Sequence, residues 1–145
     1  MHTKLTYFTL AFFLFTIFSE SKAQENHSLT VNISNIKDNV GLIHLAIYRP
    51  DDNFPYEGGA FREYNTKAIK GSTVYVMENL PAGDYAVTMF HDENQSGECE
   101  TNFIGFPLEG YCFSRNFKVF LSAPPFSKCG FTLDEDKAID VKMRY

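Results

Sequence analysis

Apolar and polar residues alternate along much of this chain, and that alternation limits what it can fold into. The clearest case is 137–145 (KAIDVKMRY), where Ile139, Val141, Met143 and Tyr145 alternate with polar or charged residues. A period of two residues is typical of a β-strand with one buried face. The same period predicts inward-facing sets in four earlier segments: Leu29, Val31 and Ile33; Ile43, Leu45 and Ile47; Val74 and Val76; Tyr85, Val87 and Met89.

Turn residues separate these segments, and 60–69 reads as a weaker strand between them. Short strands divided by Gly, Pro, Asn and Asp predict an all-β antiparallel sandwich of about seven strands. One long aromatic-rich excursion, 91–128, interrupts the rhythm and contains a single candidate strand at 117–121. Loops this long are uncommon in compact domains unless they function or are disordered, and the aromatic content opposes disorder.

The first 23 residues have the layout of a secretory signal peptide. Lys4 precedes an apolar run of 14 residues at 5–18, and small residues then lead to the expected cleavage point. As a helix the run would reach ~21 Å, shorter than the ~30 Å hydrocarbon core that a membrane anchor must cross. We therefore expect residues 1–23 to be removed and 24–145 to form one exported domain, periplasmic or secreted, without a membrane span.

The mature chain is expected to be acidic. Of 13 basic and 18 acidic residues, Lys4, Lys22 and Glu20 leave with the signal, so 11 basic and 17 acidic residues remain, a net charge of −6. This balance opposes binding to nucleic acid or to anionic lipid. The expected partner is a protein or a glycan.

The excursion begins with part of a calcium-loop pattern. Residues 92–100 (DENQSGECE) match D-x-N-x-S-G-x-x-E. Oxygen ligands at such spacing converge on Ca²⁺, and Gly at the sixth position permits the bend. The predicted metal ligands are Asp92, Asn94, Ser96, Glu98 through its carbonyl oxygen, and Glu100.

The calcium pattern is incomplete. Phe103 stands at position 12, where a bidentate Glu is expected, and Glu109 completes the shell only if the loop folds back. Asp, Asn, Ser and Gly suit a turn with solvated acids equally well. Both readings, a calcium site and a turn, stay open.

Aromatic residues fill the second half of the excursion. The predicted ligand face consists of Phe103, Phe106, Tyr111 and Phe113, since exposed rings hold apolar ligands or stack on sugars. The alternative is that these rings pack the excursion onto the sandwich as a small core. The absence of Trp weakens a sugar-stacking role.

The chain has three cysteines, so one thiol is left over if a pair forms. Export would permit a disulfide, and Cys99 with Cys112 is the favoured pair because both lie in the excursion. The alternative is that the cysteines are buried, inert thiols.

Motifs of nucleophilic or zinc catalysis are missing from the sequence. The chain is therefore expected to be a binding or structural module without enzymatic activity. The alternative is a small hydrolase, or a hydrolase accessory, that uses the loop carboxylates.

Taken in order, the segments resemble the bacterial domain-of-unknown-function family 2141 over about residues 28–145. The segments that carry this resemblance are GLIHLAIY (41–48), LPAGDYAV (80–87), FHDEN (90–94), TNFIGFPLEGY (101–111), FSRN (113–116) and the closing RY (144–145).

The resemblance implies an exported immunoglobulin-like, or transthyretin-like, sandwich without known enzymatic activity, in which Tyr85 occupies the corner between the sheets. It also implies a loop of the form D-x-N-x-N-G-x-x-D. Ser96 and Glu100 depart from that form but keep oxygen atoms at their positions.

Overall fold

Two β-sheets form most of the structure, a computed structural model that describes residues 25–56, 58–120 and 122–145. The strands are β1 (Asn26–Ile36), β2 (Leu42–Tyr48), β3 (Arg62–Lys67), β4 (Gly71–Pro81), β5 (Gly83–Asp92), β6 (Gly110–Phe113), β7 (Phe131–Leu133) and β8 (Lys137–Lys142). A short helical turn, Ser114–Asn116, and helix α1 (Phe126–Cys129) lie between β6 and β7. The predicted signal peptide, residues 1–23, lies outside the described residues.

The smaller sheet has the strand order β4-β1-β8, and the larger has the order β3-β2-β5-β6, with β7 also paired to β5. The chain crosses between the sheets after β7, and β8 then runs parallel to β1. Every other named pairing in the described chain is antiparallel. The prediction of an all-β sandwich is therefore confirmed, and the described residues form eight strands with one parallel pair.

The excursion between β5 and β8 differs from its prediction. β6 forms at residues 110–113 by pairing with β5, whereas 117–120, the described part of the predicted strand, forms none. The side chain of Asn116 explains this, because its amide nitrogen donates to Asp140 O (3.0 Å) and its oxygen accepts from Lys142 N–H (2.8 Å). The Asn116 side chain thus hydrogen-bonds the backbone at the edge of β8, where a further strand would otherwise pair.

The core lies between the sheets and follows the predicted alternation in most strands. All the predicted inward residues of β1, β2 and β5 are buried, as are Val141 and Met143 near the end of the chain. Ile139 is partly buried and packs against the same cluster. Burying such side chains contributes roughly 1.5–3 kcal/mol each, which makes this cluster the main stabilising feature.

β4 was predicted with the wrong face inward. Val74 and Val76 are 59% and 47% exposed, whereas Met77 and Leu80 are fully buried. The pairing with β1 explains this, because Tyr75 lies opposite buried Val31 and shares its face. A register shift then brings Leu80 back to the core. Both faces of β4 carry apolar residues, so alternation alone does not determine which face is buried.

A buried histidine ties the C-terminus to the sandwich. His91 is inaccessible to solvent, and its ring nitrogens lie 2.7 Å from Tyr145 Oη and 2.6 Å from Val40 O. Because a carbonyl oxygen only accepts, Nε2 carries a hydrogen, and in the neutral imidazole Nδ1 then accepts from the Tyr145 hydroxyl. That hydroxyl also accepts from Lys37 N–H (3.0 Å). The ring of Tyr145, predicted to face inward, is instead half-exposed and packs against Gly110.

Replacing Tyr145 by Phe should lower the free energy of unfolding by about 1–3 kcal/mol, because His91 Nδ1 would stay buried without its donor. Urea unfolding monitored by circular dichroism measures the change. Tyr56→Phe is the matched control, since the Tyr56 side chain is largely exposed and should lose little. Equal stability of the two variants would contradict this role of Tyr145.

Candidate functional site

The outer face of the five-stranded sheet forms the floor of a cleft. Side chains alternate along a strand, so the residues between the core positions face away from the smaller sheet. Two cross-strand rows result: His44, Phe90 and Tyr111 in one, and Glu63, Ala46, Thr88 and Phe113 in the other. Together with Tyr48, these side chains line a cleft of about 540 Å³.

Three loop segments wall the cleft. They contribute Pro55, Tyr56 and Gly58; Gly97, Glu98, Cys99, Thr101, Gly105 and Pro107; and Val119 and Ala123. The hydroxyl of Tyr48 lies 3.2 Å from Pro55 O and 3.1 Å from Tyr56 O, which holds the first wall against the floor. The second wall belongs to the excursion after β5.

Asp92 organises the acidic loop, which we define as residues 92–100. Its carboxylate is 1% exposed and accepts from the backbone N–H groups of Ser96 (3.0 Å) and Gly97 (2.9 Å). Asn94 accepts from the same Ser96 N–H (2.9 Å) and donates to the Glu100 carboxylate (3.0 Å). The loop thus has the side-chain-capped turns that Asp and Asn favour.

The predicted calcium ligands are therefore divided. The side chains of Asp92, Asn94 and Glu100 serve the interior of the acidic loop, whereas the Ser96 hydroxyl donates to Glu98 O (3.1 Å) and Glu98 lines the cleft. Within the described chain, no group of three or more His, Cys, Asp and Glu side chains has the arrangement of a metal site. Calcium binding stays a prediction.

Asn102 closes a second turn, at the tip of the excursion. Its side-chain oxygen accepts from the N–H groups of Ile104 (3.1 Å) and Phe106 (2.9 Å), and Thr101 pairs with Pro107 across the turn. This turn points the Phe103 side chain into solvent, where it is 98% exposed.

The four predicted ligand-face aromatics take three different positions. Tyr111 and Phe113 form the floor of the cleft. Phe106 packs edge-on against Tyr111, with ring centres 5.9 Å apart. Phe103 lies outside the cleft lining.

A second apolar cluster supports the floor. It contains Ala86, Tyr111, Phe113 and Cys129, with Phe54, Phe117, Val119 and Phe126 packed against them. Buried Ser114 joins this cluster to β5, because its hydroxyl accepts from Val87 N–H (2.9 Å) and donates to Cys129 O (2.7 Å). Some excursion aromatics therefore form a small core, as the alternative reading held.

The predicted Cys99–Cys112 disulfide is wrong for this structure. Cys112 faces the main core, where its sulfur lies 3.4 Å from Met143 Sδ, whereas Cys99 lines the cleft on the opposite face of the sheet. Both cysteines lie in one excursion, but the pleat of β6 turns the Cys112 side chain away from Cys99. Burial raises the pKa of the Cys112 thiol to about 12, so this thiol stays protonated and inert.

A buried carboxylate lies next to His44, a residue of the cleft lining. His44 Nε2 lies 3.2 Å from Asp92 Oδ2 without hydrogen-bond alignment, and the His44 ring stacks on Phe90 at 4.7 Å. Nearby Glu109 is 9% exposed, and its Oε2 atom has no hydrogen-bond partner among the described residues. Burial raises the pKa of the Glu109 carboxyl, and the charge of Asp92 raises it further.

Sequence reasoning missed the part of the floor formed by β2, β3 and β5. No sequence motif gave His44, Phe90 or Glu63 a role in a site. A signal was present in β2 and β5, because LIHLAIY and DYAVTMF carry apolar or aromatic residues on both faces. Strands of that kind are covered on both sides.

The fold and the cleft define an all-β sandwich protein with a cleft of small-molecule size on one sheet. Residues 31–141 match the family described as an uncharacterized protein conserved in bacteria, DUF2141, and the chain belongs to that family. Comparison with curated proteins and with solved structures found no match. The described residues include no helix with the length and apolarity needed to span a bilayer.

Replacing Asp92 by Asn should lower the free energy of unfolding by about 1.5–3 kcal/mol, because an amide group would face two N–H donors that now meet a buried carboxylate. Chemical denaturation gives the change, and amide hydrogen exchange should quicken at Ser96 and Gly97. Asp51→Asn, at an exposed turn, is the control. If both variants are equally stable, Asp92 does not organise the loop.

Proposed function

We propose that this protein is an exported, non-enzymatic binding module that holds a small apolar or aromatic ligand in the cleft. One observation carries the proposal: a cleft of about 540 Å³ whose floor includes the aromatic rings of Phe90, Tyr111 and Phe113. Ligand sites are commonly concave, about 300–1,000 Å³ in volume, and lined by apolar and aromatic side chains. The signal-like sequence of residues 1–23 supports export.

The arrangement of the walls favours binding over a purely structural role. The Tyr48 hydroxyl and the turn closed by Asn102 brace two walls through their own hydrogen bonds. Because these walls are already held in place, ligand binding would cost little further conformational entropy, which favours affinity.

A fluorescent apolar probe tests this function. N-phenyl-1-naphthylamine should bind the purified protein with enhanced emission, and Ala46→Tyr should weaken binding by at least about tenfold, or ~1.4 kcal/mol, by filling the floor. Ala138→Tyr makes the same change on an exposed residue of β8, in the other sheet, and should leave binding unchanged.

Two results would count against the cleft as the binding site. One is the absence of probe binding by the parent protein, and the other is equal loss in the two Tyr variants. Melting temperatures of all three proteins show whether a loss reflects unfolding.

The alternative function, a hydrolase, would use carboxylates of the acidic loop. The contacts of these carboxylates support hydrolysis less than they support binding. Such a hydrolase needs two carboxylates to act on one bound substrate. Glu98 lines the cleft, whereas the Glu100 carboxylate accepts from Asn94 within the loop. We therefore propose binding without catalysis.

We further propose that the acidic loop binds Ca²⁺, and Glu109 is the observation that favours this. It supplies an unpartnered, buried carboxylate oxygen beside the charge of Asp92. Ca²⁺ takes six to eight oxygen ligands in flexible geometry, so carboxylates, the Asn94 amide and backbone carbonyls together suit it. The cation would offset the repulsion that now raises the pKa of Glu109.

Thermal unfolding with EDTA and then with excess CaCl₂ tests this ion. At 100 times the dissociation constant, Ca²⁺ adds about 2.7 kcal/mol of stability, equal to several degrees for a domain of this size. Glu109→Gln should abolish the calcium response, whereas Glu135→Gln, in an exposed turn, should keep it. An unchanged melting temperature of the parent protein in CaCl₂ would contradict calcium binding.

A further inference from the structure

The cleft is lined by carboxylates without basic partners. Glu63 on the floor and Glu98 on the wall are its two acidic residues, and neither Lys nor Arg occurs among the described residues that line it. Asp92 adds a buried negative charge directly behind His44, which also lines the cleft. An anionic ligand in this cleft would therefore meet two carboxylates and no Lys or Arg countercharge.

Three basic side chains form contacts outside the cleft lining. The segment from Asp92 to Ser114 contains five acidic residues and no Lys or Arg. Lys37 pairs with Glu93 at 2.9 Å, outside the cleft lining. Arg115 and Arg144 donate to the backbone carbonyls of Gly130 and Asn116, each at 3.3 Å.

The aromatic floor adds a second attraction for positive charge. The rings of Tyr111 and Phe113 meet at 63° with centres 6.0 Å apart. Both rings line the cleft. The face of an aromatic ring carries negative potential and attracts a cation within about 6 Å.

We propose that the cleft selects ligands that join an apolar or aromatic body to a cationic group, the chemical class of hydrophobic amines. The apolar body would cover the floor, and the cation would lie between the rings and the carboxylates of Glu63 and Glu98. This inference rests on the proposed binding function and adds the charge of the ligand to it.

Three probes that share a phenyl ring on a four-carbon chain and differ in their terminal group test the charge preference. They are 4-phenylbutylamine, 4-phenyl-1-butanol and 4-phenylbutyrate. At neutral pH the amine is cationic and the acid anionic, as for side-chain groups with pKa values of ~10.4 and ~4.3. Each is titrated into the parent protein in EDTA and followed by amide chemical shifts. The amine should bind about fivefold tighter than the alcohol, and the butyrate should bind weakest.

Charge-removing variants show where the preference arises. Glu63→Gln combined with Glu98→Gln should bring the amine and the alcohol within about twofold of each other, because both carboxylate attractions are gone. Glu78→Gln combined with Glu135→Gln removes the same total charge from exposed positions outside the cleft and should keep the preference. Added salt should weaken the amine and leave the alcohol unchanged.

The outcomes separate this inference from the proposed function. Equal binding of the amine and the alcohol to the parent protein, with shifts at His44 and Tyr111, overturns the charge selectivity and leaves cleft binding intact. Loss of the preference in both double variants shows that net charge, not the cleft carboxylates, controls it and also overturns the inference. If none of the three probes shifts the cleft residues, the binding function falls together with the inference.

Discussion

The structure depends on β5 being covered on both faces. One face of this strand carries Val87 and Met89 into the core between the sheets, and the other carries Phe90 into the cleft. Its backbone pairs with β2 over seven residues and also with β6 and β7. A strand so enclosed must satisfy its backbone groups within the protein, and Ser114 does this for Val87 where β6 ends.

Alternation was enough to predict the core where only one face of a strand is apolar. β1 is such a strand, because Leu29, Val31 and Ile33 alternate with polar residues and all three are buried. β4 is the opposite case, since S-T-V-Y-V-M is apolar on both faces and only its pairing with β1 decides that Tyr75 and Met77 face inward. That pairing joins residues distant in sequence, which a local pattern does not specify.

Only part of the candidate site was predicted, because the rest of it also depends on strand pairing between distant residues. The excursion revealed Tyr111 and Phe113, because aromatic residues in a long loop must pack or bind. The cleft itself requires the row His44–Phe90–Tyr111, which only the registers of β2, β5 and β6 bring together. The cysteine pairing failed on the same point, because Cys99 and Cys112 share a loop but lie on opposite faces of the sheet.

Asp92 links the two proposed activities. Its carboxylate accepts hydrogen bonds from the N–H groups that close the acidic loop. It also lies 3.2 Å from His44, a residue of the cleft lining. A cation bound by Asp92 and Glu109 would reduce the negative potential behind His44 while leaving the carboxylates of Glu63 and Glu98 at the floor and wall. Coulomb interactions weaken with distance and with solvent exposure. The bound Ca²⁺ and the carboxylates of Glu63 and Glu98 should therefore act on a ligand cation with unequal strength. The calcium state of the loop would then tune how strongly the cleft prefers a positive charge, without moving its aromatic floor.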